Sequence, residues 1–277
     1  MANLKDLKTR INSVKSTQKI TSAMKMVAAA KLRRAQEVAE SGRPYSVRMQ
    51  RVISSLAANA SKTNAPELLV GRKEVKKHLL IVISADKGLC GGFNGTVARQ
   101  ARSEINRLED EGKSVLVFMV GKKAADNLGR EISNRTFDRI ENVQGSNVNY
   151  NEVQSISEKI LISFEESQFD QVSMIYNQFV NAITQNVVVT PLIPAYVEDK
   201  ADKDTINYDY EPEENELLQS LLPRNLTTQI FSALLESSAA ELAARMTAMD
   251  NATRNAGDMI DSLTLVYNRT RQANITK

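Results

Sequence analysis

The chain has one cysteine, Cys90, one histidine, His78, and no tryptophan. A single thiol excludes an intrachain disulfide and a four-thiolate zinc site. The lone imidazole rules out a histidine-based metal cluster and gives a hydrolytic triad little to work with. Aromatic residues make up only 5% of the sequence, which leaves few large anchors for a conventional core. Long apolar runs are missing too: Leu79–Ile83 and Val115–Val120 fall far short of the ~20 residues that cross a bilayer. No signal peptide is visible, because the N-terminus is polar and charged through Lys19. Nor does one sign of charge dominate, with 36 basic and 33 acidic side chains giving +3. At 42% apolar and 25% charged over 277 residues, the composition fits a folded chain of one large or two small domains. The expectation is a soluble, cytoplasmic-facing and elongated protein.

Glycine and proline are distributed unevenly. Neither occurs from Met1 to Ser41, and from Arg224 to Lys277 there is no proline and one glycine, Gly257. Both ends therefore predict long helices, about 60 and 80 Å at 1.5 Å per residue. Leu4, Leu7, Ile11 and Val14 follow the 3-4-3 spacing of a coiled-coil seam. The stripe continues through Thr17, Ile20 or Thr21, Met24, Ala28, Leu32, Ala35 and Ala39. A similar stripe runs through Leu235, Ser238, Leu242, Arg245, Met249, Ala252, Ala256, Met259, Leu263 and Val266. Neither helix can bury such a stripe alone. Packing on each other satisfies both, and packing separately on the central domain is the alternative.

The middle of the chain alternates strand and helix. Lys77–Ser84 and Ser114–Val120 predict buried strands, with helices over Thr96–Glu111, Lys122–Leu128 and Asn151–Ser167. Asp170–Phe179 and Asn186–Ile193 predict two more strands, the last stopped by Pro191 and Pro194. Such alternation implies a mostly parallel sheet with covering helices. Residues 198–216 carry nine acids against two lysines, a solvated loop or hairpin. The expected organisation is α/β: a long antiparallel coiled coil of the terminal helices plus a central Rossmann-like domain. Its segments are an N-terminal helix over 1–65, the α/β domain over 72–200, an acidic linker over 201–223 and a C-terminal helix over 224–277.

Three features invite a functional reading. The loop Asp86–Gly95 sits where a nucleotide-binding turn would sit, yet it has neither the G-x-G-x-x-G spacing nor a closing Gly-Lys-Ser/Thr. Its glycines serve equally well to permit positive φ at a tight strand exit. Cys90 lies in that loop, and its only possible imidazole partner, His78, stands at the start of the preceding strand. The first 51 residues hold twelve basic and three acidic side chains. That excess suits nucleic acid, a membrane surface, an acidic protein partner, or simply a solvated face. No aromatic precedes Tyr45 to stack on bases, and the apolar face has no Trp or Phe to enter a membrane. Met24 and Met26 lie about 200° apart on a helix, so one enters the seam and the other points outward. Met246 and Met249 share one face and read as core.

The run from Val14 to Leu32, VKSTQKITSAMKMVAAAKL, resembles the gamma-subunit family of rotary F-type ATP synthases. So do SADKGLCGGFN, from Ser84 to Asn94, and the stretch from Glu236 to Thr276 that contains ARMTAMDNATRNA and LTLVYNRTRQANIT. The resemblance covers the chain in order. It implies an antiparallel coiled coil penetrating a ring of alpha and beta subunits, with the α/β domain below holding the epsilon subunit and the membrane c-ring. It implies a torque-transmitting, non-catalytic subunit of a proton-translocating complex that binds no cofactor and no nucleic acid. Membrane association would come only through the complex, at the cytoplasmic face of a bacterial plasma membrane.

By matching position, Met24 and Lys25 are expected to pass acidic loops of the beta subunits. Asp86, Lys87, Gly88 and Cys90 fall in the loop expected near the lower face of the head. Arg245, Gln272 and Thr276 are expected to touch the surrounding sleeve. Tyr208, Asp209, Tyr210 and Glu211 match a foot near the ring and epsilon. The family usually continues a few turns beyond Ile275-Thr276, so either the tip is short or the sequence is incomplete. Plastid relatives carry an inserted cysteine pair; Cys90 is alone, and a thiol switch of that kind is not expected. A nucleotide-dependent enzyme built on the glycine loop, and a nucleic-acid-binding coiled coil, are the alternatives from other classes.

Overall fold

A computed structural model describes residues 4–59, 66–143, 148–195 and 214–276. Helix α1 spans Leu4–Asn59, and a short helix α2, Glu67–Val70, leads into strand β1, Lys77–Ile83. Helix α3 (Phe93–Asp110), strand β2 (Ser114–Val120) and helix α4 (Lys122–Leu128) follow, and a 3-10 turn then enters strand β3, Thr136–Ile140. Helix α5 (Tyr150–Glu165), strands β4 (Gln171–Phe179) and β5 (Gln185–Ile193), and helix α6 (Glu214–Thr276) complete the chain. Among the described residues no helix is long and apolar enough to cross a membrane.

The sheet order is β3-β2-β1-β4-β5, with the first four strands parallel and β5 antiparallel to β4. Alternate residues of β1 face opposite layers, as the two-residue period of a strand requires. Leu79, Ile81 and Ile83 meet α5 and α6 on one face, while Leu80 and Val82 meet α3 on the other. Burial on both faces explains why this strand is continuously apolar instead of alternating.

Two terminal helices run antiparallel against each other. Gln18 lies beside Gly257, Thr21 beside Thr253, Lys25 beside Asp250, and Arg43 near Glu236. Lower down, Leu32 packs with Ala239 and Ala243, and Met49, Ile53 and Leu56 pack with Leu218 and Leu222. On α1 the inward positions are Leu7, Ile11, Val14, Gln18, Thr21, Lys25, Ala28, Leu32 and Ala35, a strict alternation of four- and three-residue steps. Gln18 replaces the expected Thr17, and of the pair Ile20 or Thr21 it is Thr21 that is buried. On α6 the stripe runs Met249, Thr253, Ala256, Ile260, Leu263 and Tyr267. The expected seam positions Met259 and Val266 are therefore corrected, because both are exposed. The four-residue step from Met249 to Thr253, where the Thr253 hydroxyl donates to Thr21 at 2.8 Å, puts Thr253, Ile260 and Tyr267 in place of Ala252, Met259 and Val266, while Ala256 and Leu263 keep their places.

Both helices also exceed the punctuation-free segments. α1 continues through Gly42 and Pro44, and α6 starts at Glu214, upstream of Pro223. An interior proline costs about 3 kcal/mol. Burial of Met49, Ile53 and Leu56 beyond it gains roughly 1.5–3 kcal/mol for each side chain, so packing outweighs the broken turn. β3 was not anticipated by pattern: its sequence TFDRI is short, half polar and at the sheet edge.

Between Ala233 and Ala243, α6 is hemmed in on two sides, by the sheet domain and by α1. Ala239, Ala240, Ala243 and Ser237 are fully enclosed, and small side chains are what allow both neighbours to approach. Glu236 sits in this segment with its side chain 12% exposed, 3.8 Å from the Arg43 guanidinium. Its Oε2 is buried without a partner, and burial raises the carboxyl above its ordinary range. Burial, and then the Glu236 charge, push the neighbouring Tyr176 hydroxyl up to about 12. A carboxyl raised in the folded state opposes folding when ionised, and that penalty fades as pH falls towards the unfolded value. Glu236→Gln is therefore expected to stabilise the isolated chain by about 1 kcal/mol at pH 8. The gain should shrink on acidification towards pH about 5, measured by denaturant titration across pH. An unchanged difference across that range would exclude Glu236 ionisation as the cause.

Candidate functional site

The loop between β1 and α3 is built from the inside. Ser84 ends the strand run, and its Oγ accepts the Ala124 N–H at 2.6 Å. One Asp86 carboxylate oxygen accepts the N–H groups of Lys122 and Asn142, both at 3.1 Å. Asn94 reaches back from the first turn of α3: its Oδ1 accepts the Ala85 N–H at 3.0 Å, and its Nδ2 donates to Cys90 Sγ at 3.2 Å. The Ala85 N–H is thus turned inward onto a side chain, where a phosphate-cradling turn would keep such donors free for a ligand. Lys87 and Leu89 point to solvent, and Gly88 is half-buried.

Cys90 is 1% exposed and packs with Ala85, Phe93 and Ala240. Burial first, then the nearby Glu241 carboxylate, push its thiol pKa up. His78 lies at the other end of β1, 2.7 Å from Ser173 Oγ, with its pKa lowered to about 4 chiefly by burial. Loop and imidazole are separated by the length of the strand. Two cavities, of about 290 and 360 Å³, are lined by Glu67 and Arg72 together with Phe164 in the first and Asp170 in the second. They also lie at the N-terminal ends of β1 and β4, away from the glycine loop.

The loop rests on α6. Arg245 Nε donates to Glu241 Oε1 at 2.8 Å, and the two side chains are only 16% and 13% exposed. Burial raises the Glu241 carboxyl even so, with Arg245 as its main opposing charge and Lys87 and Lys31 as smaller ones. Lys87, Cys90 and Arg245 are thereby gathered around one stretch of α6, while Asp86 turns to Lys122 and Asn142. Met24 and Lys25 sit higher, where Lys25 Nζ reaches Asp250 at 2.6 Å. Met24 is half-buried beside the seam position Lys25, which takes the place expected for Met24, and Met26 is exposed; Met249 is buried, and Met246 packs with Leu32, Ala239 and Leu242. Gln272 and Thr276 are exposed at the far end of α6, where Thr276 Oγ1 donates to the Gln272 carbonyl. Tyr208, Asp209, Tyr210 and Glu211 lie outside the described residues.

Sequence reasoning missed the partners of these residues. Asp250 and Glu241 become visible only when the antiparallel register is known. Gly121 was missed as well: it follows β2 with φ +95°, and its place against Ser84 leaves no room for a side chain. Above Met249 the helix pair leaves the sheet domain, and its outer surface carries exposed Ile20, Met26, Val27, Leu265, Val266 and Ile275. Aliphatic side chains on the outside of a long two-helix projection mark a surface that is covered in use.

An α/β domain bearing a long antiparallel helix pair defines a stalk-type architecture. A family model described as ATP synthase matches residues 3–277. The ATP synthase gamma chain of Pelagibacter ubique is 50% identical over 281 residues, covering 100% of this chain and 96% of the relative. That of Paracoccus denitrificans is 49% identical over 278 residues with the same coverage. Among solved structures, a chain of the Tetrahymena thermophila mitochondrial ATP synthase central stalk and c-ring has a TM-score of 0.62 at 29% identity, over 84% of this chain and 99% of that one. A chain of the Euglena gracilis mitochondrial ATP synthase rotor, at 19% identity, shares the fold with a TM-score of 0.70 over 98% of both chains. The chain belongs to the ATP synthase gamma chain family.

Proposed function

We propose that this chain is the central-stalk rotor subunit of a proton-translocating F-type ATP synthase. It transmits torque between a membrane c-ring and a head of alternating alpha and beta subunits, and the catalytic chemistry belongs to the head. The observation that carries this is the helix pair beyond Met249, which is held together by a half-buried four-three seam and exposes Ile20, Met26, Leu265, Val266 and Ile275 among the charged side chains of its outer surface. The four-three spacing of that seam supports an antiparallel coiled coil. Two unlike helices make an asymmetric shaft, so each orientation presents different side chains to each of the surrounding catalytic subunits. Binding energy that differs between subunit conformations is what can drive a cycle of conformational change. Exposed methionine and aliphatic side chains suit sliding contacts, since dispersion and burial have no preferred direction.

On this reading Met24, Lys25, Arg245, Gln272 and Thr276 turn inside the sleeve, and Asp86, Lys87 and Gly88 face the head from below. Cys90 shapes that loop from within. Tyr208, Asp209, Tyr210 and Glu211 serve as the foot on the c-ring and epsilon. The basic first helix is matched to acidic surroundings, where attraction is strong and not tied to one angle. The complex sits peripherally at the cytoplasmic face of a bacterial plasma membrane.

Hydrogen exchange tests the housing. In the isolated chain, residues 4–25 and 250–276 are expected to exchange quickly, while β1, β2 and the enclosed α6 segment 233–243 exchange slowly. Addition of alpha and beta subunits should protect the two fast segments. Exchange that stays unchanged in the assembled complex would contradict a shaft enclosed by a sleeve.

A further inference from the structure

β1 and β4 are neighbouring parallel strands, so the loop after β1 and the β4–β5 hairpin tip emerge from the same end of the sheet. Both reach α6 at one level. A Cβ on Gly91 would stand 3.7 Å from Ala248 Cβ, and Thr247 Oγ1 donates to the Ala182 carbonyl at 3.4 Å. Phe179 packs against both groups of side chains, those under the loop and those between the tip and the shaft. Loop and tip are therefore two parts of one platform. Some 28 residues of α6, about 42 Å of helix, project beyond it.

The tip is rigid and presents an aliphatic side chain outward. Asn181 Oδ1 accepts the N–H groups of Ile183 and Thr184 at 2.9 and 2.8 Å, and the Asn181 N–H donates to the Thr184 carbonyl at 3.1 Å. The Gln185 side chain donates to the Asn181 and Ala182 carbonyls. On this support Ile183 is 84% exposed, the most exposed large apolar side chain among the described residues. No charged residue lies between Val180 and Gln185. In the companion loop Leu89 is 63% exposed and holds φ +65°, a conformation that glycine would adopt without strain. Two outward aliphatic side chains, one on a braced turn and one on a strained residue, are not explained by the fold of this chain.

We propose that the β4–β5 tip is a bearing point that, with Leu89, presses on the underside of the ring of alpha and beta subunits through Ile183. The proposal rests on the rotor reading. What commits it to the head is continuity: the platform faces along the projecting helices, so whatever encircles them meets the platform directly. Apolar contact at two points beside α6 supports the ring axially and permits turning, because it carries no directional bond to break.

The test uses the assembled complex, with a photoreactive benzophenone side chain at position 183 and, separately, at Met26 on the shaft. Crosslinking from both positions to alpha or beta subunits is expected. Crosslinking from position 26 to the head, with position 183 joined to epsilon, the c-ring, a second copy or nothing, overturns the bearing and leaves the rotor reading standing. Failure at both positions overturns both. A second measurement uses the double variant Leu89→Gly and Ile183→Ser. Its isolated chain should melt no lower than the original, since one change relieves strain and the other alters an exposed side chain. Its affinity for the ring of alpha and beta subunits should fall about tenfold. Unchanged affinity would overturn the proposal.

Discussion

A disulfide between position 87 and a facing position on a beta subunit, in a Cys90→Ala background, should abolish sustained ATP hydrolysis. Lys87 is exposed on a loop fixed by Asp86, Ser84 and Asn94, so a cysteine there is reachable without disturbing the fold. Cys90 is removed to leave one reactive thiol; its burial and raised pKa make it a slow competitor in any case. A rotor must pass successive beta subunits, and a covalent bond permits none of these passages. Hydrolysis beyond a first turnover should therefore drop to background, about a hundredfold or more, and return with reductant. A disulfide from position 209 to the c-ring should spare turnover, because co-rotating parts lose nothing when joined. Equal tolerance of both bonds, with tethering complete on a gel, would describe a static scaffold.

Gly121→Ala should remove a large part of the folding stability. Gly121 has φ +95°, and a Cβ there would stand 2.0 Å from the Ser84 carbonyl oxygen and 2.8 Å from its carbon. Neither atom can retreat. The Ser84 N–H donates to Val120 at 2.8 Å, the Gly121 N–H donates to Ile140 at 2.8 Å, and Ser84 Oγ holds the first turn of α4. Relief requires parting the C-terminal ends of β1 and β2, which are in register from Lys77↔Ser114 to Ile83↔Val120. A cost of about 4 kcal/mol is expected, against a typical total stability of 5–15 kcal/mol. Gly112→Ala is the control. Its φ is +80°, but nothing lies within 4 Å of the added Cβ, so only the backbone penalty of about 1–2 kcal/mol applies. Denaturant titration of both variants separates clash from backbone strain, and equal losses would contradict the account.

The contrast between these glycines shows what the sequence carries and what it hides. Buried strands were legible because LLIVI and VLVFMV are apolar without interruption, a pattern that two-sided burial explains. Both terminal helices were legible from the absence of breakers. Their full lengths were not, since Pro44 and Pro223 are tolerated only through contacts made with distant segments. β3 was hidden because an edge strand backed by Lys159–Asp138 and a few half-buried residues needs no apolar run. The glycine loop was legible as a loop. Its interior was not, because Asn94 and Gly121 acquire their roles from atoms 9 and 37 residues away along the chain. Lys25 is singled out by the family resemblance of its segment, whereas Asp250 follows only from the register of α1 against α6. The replacement of Ala252, Met259 and Val266 in the α6 stripe by Thr253, Ile260 and Tyr267 likewise follows only from the register seen at the Thr21–Thr253 contact.

Rotation itself is the most direct measurement. Complexes are immobilised by the head, and a polarised fluorophore is attached at Ile162, which is exposed on α5. ATP should turn the fluorophore in one direction through repeated full revolutions, at a rate that tracks hydrolysis measured on the same preparation. Introducing the position-87 disulfide should stop both together. Hydrolysis continuing while the fluorophore keeps a fixed orientation would contradict the central claim that this chain is the rotor.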